Sequence, residues 1–157
     1  MLVKGGLKTI QLLGTPSKND VVPSVDAVII ALKTRTIPVE DAIEQSLQAM
    51  NWLKNAGAKQ FFFKYCSTFD STDEGNIGPV IDALMAGLET QFTIACPAFP
   101  ETERTIFKGH LFVGDKLLSE SPMKDHPLTP MTDSNLVSTL SRQTSQKVGL
   151  VEYKNIS

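Results

Sequence analysis

Apolar and polar positions alternate along the chain in short blocks. Thr9-Ile10-Gln11-Leu12-Leu13, after the Gly5-Gly6 break, reads as a strand. Asp26-Ala27-Val28-Ile29-Ile30-Ala31 is nearly continuous in apolar character, as in a strand covered on both faces. Pro16, Ser17, Asn19, Asp20 and Pro23 give the stretch between them a loop composition. A helical period follows, with Ala42, Ile43, Leu47, Met50, Trp52 and Leu53 at three- and four-residue spacing. Thr36 or Ile37 stands at the cap, Pro38 suits the first turn, and Glu40 and Asp41 complement the positive end of the helix dipole. Ala56-Gly57 predicts its end.

The unit then repeats. Gln60-Phe61-Phe62-Phe63-Lys64 predicts an interior strand, and Gly75-Asn76-Ile77-Gly78-Pro79 leads into a helix with Ile81, Leu84, Met85 and Leu88 on one side. Gln91-Phe92-Thr93-Ile94-Ala95 predicts another strand. Strands alternating with helices call for an α/β fold: three layers with a mostly parallel sheet, since parallel crossovers need helices on the sheet faces. Beyond Cys96 the rhythm changes. His110 to Val113, the Gly114-Asp115 turn and Lys116-Leu117-Leu118 predict a small hairpin excursion. Pro122, Pro127 and Pro130 interrupt the next stretch. Thr132 or Asp133 can cap a short helix through Leu136, Val137 and Leu140, and Val148-Gly149-Leu150-Val151 predicts a last strand.

Composition adds limits. With 157 residues and 41% hydrophobic content, one ordinary domain can bury roughly two thirds of its unfolded surface. Fifteen basic and seventeen acidic side chains leave a net charge of −2 without long runs, which argues against a protein that tracks a nucleic-acid backbone. Cys66 and Cys96 lack metal-site spacing and read as small buried residues near strand ends. No signal-like segment and no 18-residue apolar stretch is present, so the expectation is a soluble cytoplasmic protein with reduced thiols.

The chemistry sits where apolar strands end in polar loops, the usual ligand edge of a parallel α/β sheet. Lys33-Thr34-Arg35-Thr36 follows one strand, 64–72 follows the next, and 97–105 follows the third. Arg35 can clamp a carboxylate with its planar fork, while Lys33 or Lys64 supplies a point charge. Ser67, Thr68 and Asp70 can bond sugar hydroxyls. For each residue singly a loop cap or surface ion pair explains the sequence as well; for Arg35 and Lys64 together it explains it less well, because adjacent strands would align their loops. Cys66 with His110 as nucleophile and base, or His110 and His126 as metal ligands, lack supporting spacing. The Gly75–Gly78 turn can offer amides to an anion, yet it matches neither the dinucleotide fingerprint nor the phosphate loop.

Taken in order, several of these segments resemble the amino-terminal domain of the four-carbon acid sugar kinase family, in its 3-oxo-tetronate kinase branch. They are Lys33-Thr34-Arg35-Thr36, the stretch 64–72 with Gly75-Asn76-Ile77-Gly78-Pro79, Cys96-Pro97-Ala98-Phe99-Pro100, and Arg104-Thr105. Gly109-His110-Leu111-Phe112-Val113, Glu120-Ser121-Pro122-Met123 and His126-Pro127-Leu128-Thr129-Pro130-Met131 complete the set, which spans nearly the whole chain. The resemblance implies transfer of phosphate from ATP, with Mg²⁺, to the 4-position of a four-carbon 3-oxo sugar acid. It also implies Arg35, Lys64, Ser67, Asp70 and Arg104 as substrate-binding residues, with Arg35 and Lys64 drawing the carboxylate. The catalytic base is not identified by it.

Two departures shape the expectation. The family opens with a strand ending in an acidic Ala-Asp-Asp-x-Thr-Gly-Ala loop that nothing here matches, and residues 1–6 read as the end of the helix after it. No nucleotide domain follows Ser157. Residues 1–157 are thus expected to be an incomplete acid-sugar-binding amino-terminal domain, whose ATP-binding partner lies in cis or on a separate chain. Alone, the chain is expected to bind rather than to catalyse, and to be less stable than the full-length protein. The rival expectation is a stand-alone binding or regulatory domain for a small carboxylated metabolite, with no nucleic-acid or membrane partner.

Overall fold

The structure, a computed structural model, describes residues 2–17, 19–21, 24–69 and 72–156. Two compact units divide the chain, Met1–Phe63 and Lys64–Ser157.

The first unit carries strands β1 (Thr9–Leu13) and β2 (Ala27–Ala31) and helix α1 (Val39–Asn55). β1 and β2 pair in parallel, from Thr9 opposite Ala27 to Leu13 opposite Ala31. Lys8 N–H donates to the Asp26 carboxylate at 2.8 Å, which fixes the start of this register. α1 begins one position later than the sequence suggests: Pro38 is itself the cap, and no side chain completes it. The buried stripe of α1 is Ala42, Ser46, Ala49 and Met50, so small residues face inward while Ile43 and Leu47 are only half-buried. The Ser46 hydroxyl escapes an unsatisfied burial by donating to Ala42 O at 2.7 Å. Gly57, at φ +86°, closes the helix as expected; its N–H bonds Lys54 O, and Ala58 N–H bonds Leu53 O.

The second unit holds α2 (Ile77–Gly87), β3 (Arg104–Phe107), β4 (His110–Val113), β5 (Lys116–Leu117) and α3 (Leu136–Gln143). β3, β4 and β5 form an antiparallel sheet. Its core is Leu111, Leu118 and Met131, with Ile106, Val113, Met123 and Leu136 packed around them. The expected hairpin is present, and Gly114 turns it at φ +58°. β3 extends it: the stretch 97–105, expected as a loop, gives way to a strand at Arg104 because Arg104 and Phe99 pair across a tight turn. Asn135 caps α3, accepting from Val137 N–H and Ser138 N–H at 3.1 Å each. Asp133 instead accepts the Asn135 N–H at 2.8 Å, so neither Thr132 nor Asp133 is the cap.

The architecture is therefore mixed α/β, with a parallel pair, a small antiparallel sheet and three α-helices among the described residues. Three predicted strands, at 60–64, 91–95 and 148–151, join no ladder. An apolar run becomes a strand only by pairing with a neighbouring backbone, which local apolar character does not ensure. Phe62, Phe92 and Ile94 accordingly stand 84%, 75% and 74% exposed.

Candidate functional site

Of the expected site residues, Arg35 belongs to the first unit, on the exposed side of the segment 32–38 between β2 and α1. Lys64, Ser67 and Arg104 belong to the second. Asp70 lies outside the described residues. A groove of about 880 Å³ in the first unit, lined by Ser17, Asp20, Gln48, Asn51, Trp52 and Asn55 among others, contains none of these five.

Within the second unit the loop after residue 63 is built on an aromatic pair, half-buried Tyr65 and buried Phe69. Tyr65 and Phe69 meet edge to face with ring centroids 5.4 Å apart, and Phe69 is 1% exposed. Phe69 takes a left-handed backbone at φ 56°, which an aromatic residue adopts only when its surroundings enforce it. Phe69 N–H bonds Cys66 O at 3.0 Å and closes the turn that carries half-buried Ser67. Thr68 is buried, and its hydroxyl meets the Cys66 thiol at 3.0 Å. Burial pushes the Tyr65 hydroxyl up to about 12, against a hydrogen bond with the Cys96 main chain that favours the anion. That bond ties the 64–69 loop to the 96–105 segment, so the two polar segments predicted to share a ligand are joined through Tyr65.

Lys64 is exposed and its ammonium donates to Tyr65 O. Arg104 opens β3, and one guanidinium nitrogen donates to Thr102 O. Its Nε is buried and has no hydrogen-bond partner. A buried cationic donor without an acceptor is costly, and such a group is a natural place for a ligand oxygen. Lys64 and Arg104 thus supply positive charge, and Ser67 a hydroxyl, on segments linked by Tyr65.

The Gly-rich turn is not the anion cradle that its composition allowed. Gly78 N–H donates to Gln143 Oε1 at 2.9 Å, and Val80 N–H is spent on Asn76 O. Its glycines serve a close approach: a Cβ on Gly78 would lie 2.5 Å from Gln143 Cβ and 2.6 Å from Gln143 O. Cys96, expected to be buried, is exposed because the 91–96 segment has no covering strand. His126 accepts Thr129 N–H on Nδ1 at 3.1 Å, and His110 Nδ1 lies 3.1 Å from Lys108 O; both histidines hold turns. Sequence reasoning overlooked Tyr65 and Gln143. The neighbouring aromatics at 61–63 and 69 were a signal for Tyr65, whereas nothing local marked Gln143.

The second unit of this α/β chain thus carries two cations and a hydroxyl on its polar segments, groups suited to a small anionic, hydroxylated ligand. Comparison with known proteins sharpens this. All 157 residues match the sugar-binding N-terminal domain family, and the chain belongs to that family. It is 61% identical over 157 residues to the 3-oxo-tetronate kinase of Burkholderia multivorans, covering 100% of this chain and 36% of the relative. It is 58% identical to the 3-oxo-tetronate kinase of Cupriavidus necator, covering 99% of this chain and 37% of that one. The chain thus spans little more than a third of the curated relatives it matches. Among solved structures, a Haemophilus influenzae protein of family DUF1537 superposes with a TM-score of 0.94 at 56% identity, covering 98% of this chain and 37% of that one. A Bordetella bronchiseptica DUF1537 domain with bound citrate superposes with a TM-score of 0.72 at 28% identity, covering 89% of this chain and 36% of that one.

Proposed function

We propose that this chain is the acid-sugar-binding part of an ATP-dependent kinase that phosphorylates a four-carbon 3-oxo sugar acid at its 4-hydroxyl. The observation that carries the reading is the match along the whole chain to proteins named 3-oxo-tetronate kinase. Three local features support it: the orphaned Arg104 Nε, the Lys64 and Ser67 loop, and the Tyr65 link from that loop to the segment beginning at Cys96. Arg104 and Lys64 neutralise the carboxylate, while Ser67 and Asp70 orient hydroxyls. The citrate held by the Bordetella relative is likewise a small hydroxylated carboxylate.

No group of three or more His, Cys, Asp and Glu comes together among the described residues. The Gly-rich turn gives its Gly78 amide to Gln143. The nucleotide then belongs to another domain, in cis or on a separate chain. No helix among the described residues is long and apolar enough to cross a membrane, and a cytoplasmic location agrees with access to ATP.

Calorimetric titration of the folded chain with four-carbon sugar acids, without ATP, tests the reading. Saturable binding is expected, weakened about 10- to 100-fold in Arg104→Met, the range for loss of a charge-assisted bond. Folded chain that binds none of the panel would overturn it. Binding without any ATP-dependent turnover by the full-length protein would favour a stand-alone binding domain.

A further inference from the structure

The turn that follows the Lys64 and Ser67 segment in sequence has an anchor that no motif announced. Gln143, the last residue of α3, is 9% exposed and reaches across to Thr72 and to Gly78 of the Gly-rich turn. Its Nε2 donates to Thr72 O at 2.8 Å, and its Oε1 accepts Gly78 N–H at 2.9 Å. A side-chain amide satisfies a carbonyl and an N–H at once at any pH, which a carboxylate cannot do. The preceding residue, Arg142, bonds the Asp73 carboxylate through Nε and reaches Asp133 through Nη2 at 2.9 Å. The end of α3 therefore holds the chain at Thr72, Asp73 and Gly78, while Tyr65, Thr68 and Phe69 hold it on the other side. Asp70 and Ser71 fall between these two anchors in the sequence.

We propose that Gln143 is a positioning residue for the acid sugar: its paired bonds to Thr72 and Gly78 set the turn that follows the Lys64 and Ser67 segment, and it does not itself touch the ligand. The inference rests on the sugar-acid reading above and adds a determinant from α3 to it.

Two substitutions in the full 157-residue chain test it. Gln143→Met keeps the volume and removes both bonds. It should speed amide exchange through 72–78 and weaken the sugar acid that binds the wild type tightest by at least about tenfold. Gln143→Glu keeps the acceptor for Gly78 but turns a carboxylate oxygen towards Thr72 O. Its affinity should be low at neutral pH and recover towards wild type near pH 5, as the introduced carboxyl, raised by burial, gains a proton to donate. Asp73, Asp82, Asp133 and Arg142 are the charged groups at this end of α3 and are common to both proteins, so the variant's profile divided by the wild type's isolates the introduced group. A merely structural role would lower the melting temperature without this pH-dependent recovery. Unchanged exchange at 72–78, or unchanged affinity in folded Gln143→Met, overturns the inference while the reading stands. A wild-type chain that binds no sugar acid overturns both, whatever the exchange shows.

Discussion

The approach of α2 to α3 at Gly78 yields the sharpest stability prediction. In Gly78→Ala the added Cβ would meet Gln143 Cβ at 2.5 Å, Gln143 O at 2.6 Å and Gln143 C at 2.8 Å. Two of these three atoms are backbone, so relief requires the helices to part by roughly 1 Å rather than one side chain to swing. Overpacking of this kind costs about 1–3 kcal/mol. Stretching the two Gln143 hydrogen bonds adds about 1 kcal/mol each, and the better helix propensity of alanine returns up to about 1 kcal/mol. The net is a loss of about 2–4 kcal/mol, or about 5–15 °C in melting temperature for a chain of this size. Differential scanning calorimetry measures it. Gly149→Ala is the control, since no atom lies within 4 Å of its added Cβ and no positive φ is recorded there; it should melt at or slightly above the wild type. Gly75→Ala should fall between the two, because its nearest contact, at 2.6 Å, is the movable Gln143 Nε2. Gly78→Ala melting at or above the wild type would refute the close approach and the account of why this turn carries glycine.

Two further predictions concern the second unit. Tyr65 ionises at about 12 in the fold against 10.0 in an open chain, so the unfolded state releases its proton first and stability should fall as pH rises between those values. Tyr65→Phe should abolish that alkaline slope in urea titrations, and an unchanged slope would remove Tyr65 as its source. Leu111, fully buried beside Leu118 and Met131, should cost about 3–5 kcal/mol on change to alanine, read as a lower urea midpoint at constant m-value.

Legibility followed the range of the interactions. α1, α2 and α3 announce themselves because periodicity and caps are local; even so, α1 turns Ala42, Ser46 and Ala49 inward rather than its bulkier Ile43 and Leu47. β1, β2 and the hairpin were visible for the same reason. The runs at 60–64 and 91–95 read equally well as strands, yet pairing depends on a neighbouring backbone that no local pattern encodes. The site shows the same division. Loop composition pointed to Lys64, Ser67 and Arg104, while Gln143 acts on Thr72 and Gly78 from 71 and 65 residues away. A glutamine at the end of an amphipathic helix looks like any solvated residue. Its partners make it otherwise, and without them the glycines it packs against could be read only as amides open to an anion.

The chain has a single tryptophan, and it reports on one half alone. Trp52 sits on α1, and its indole N–H donates to Ser17 O at 3.0 Å within the first unit. Intrinsic tryptophan emission will therefore follow the melting of residues 1–63, whereas ellipticity sums the helices of both units. If the two signals change together, the units unfold as one cooperative block. If emission changes at a different temperature, the optical mismatch itself gives the free-energy gap between them, without a mutation or a label.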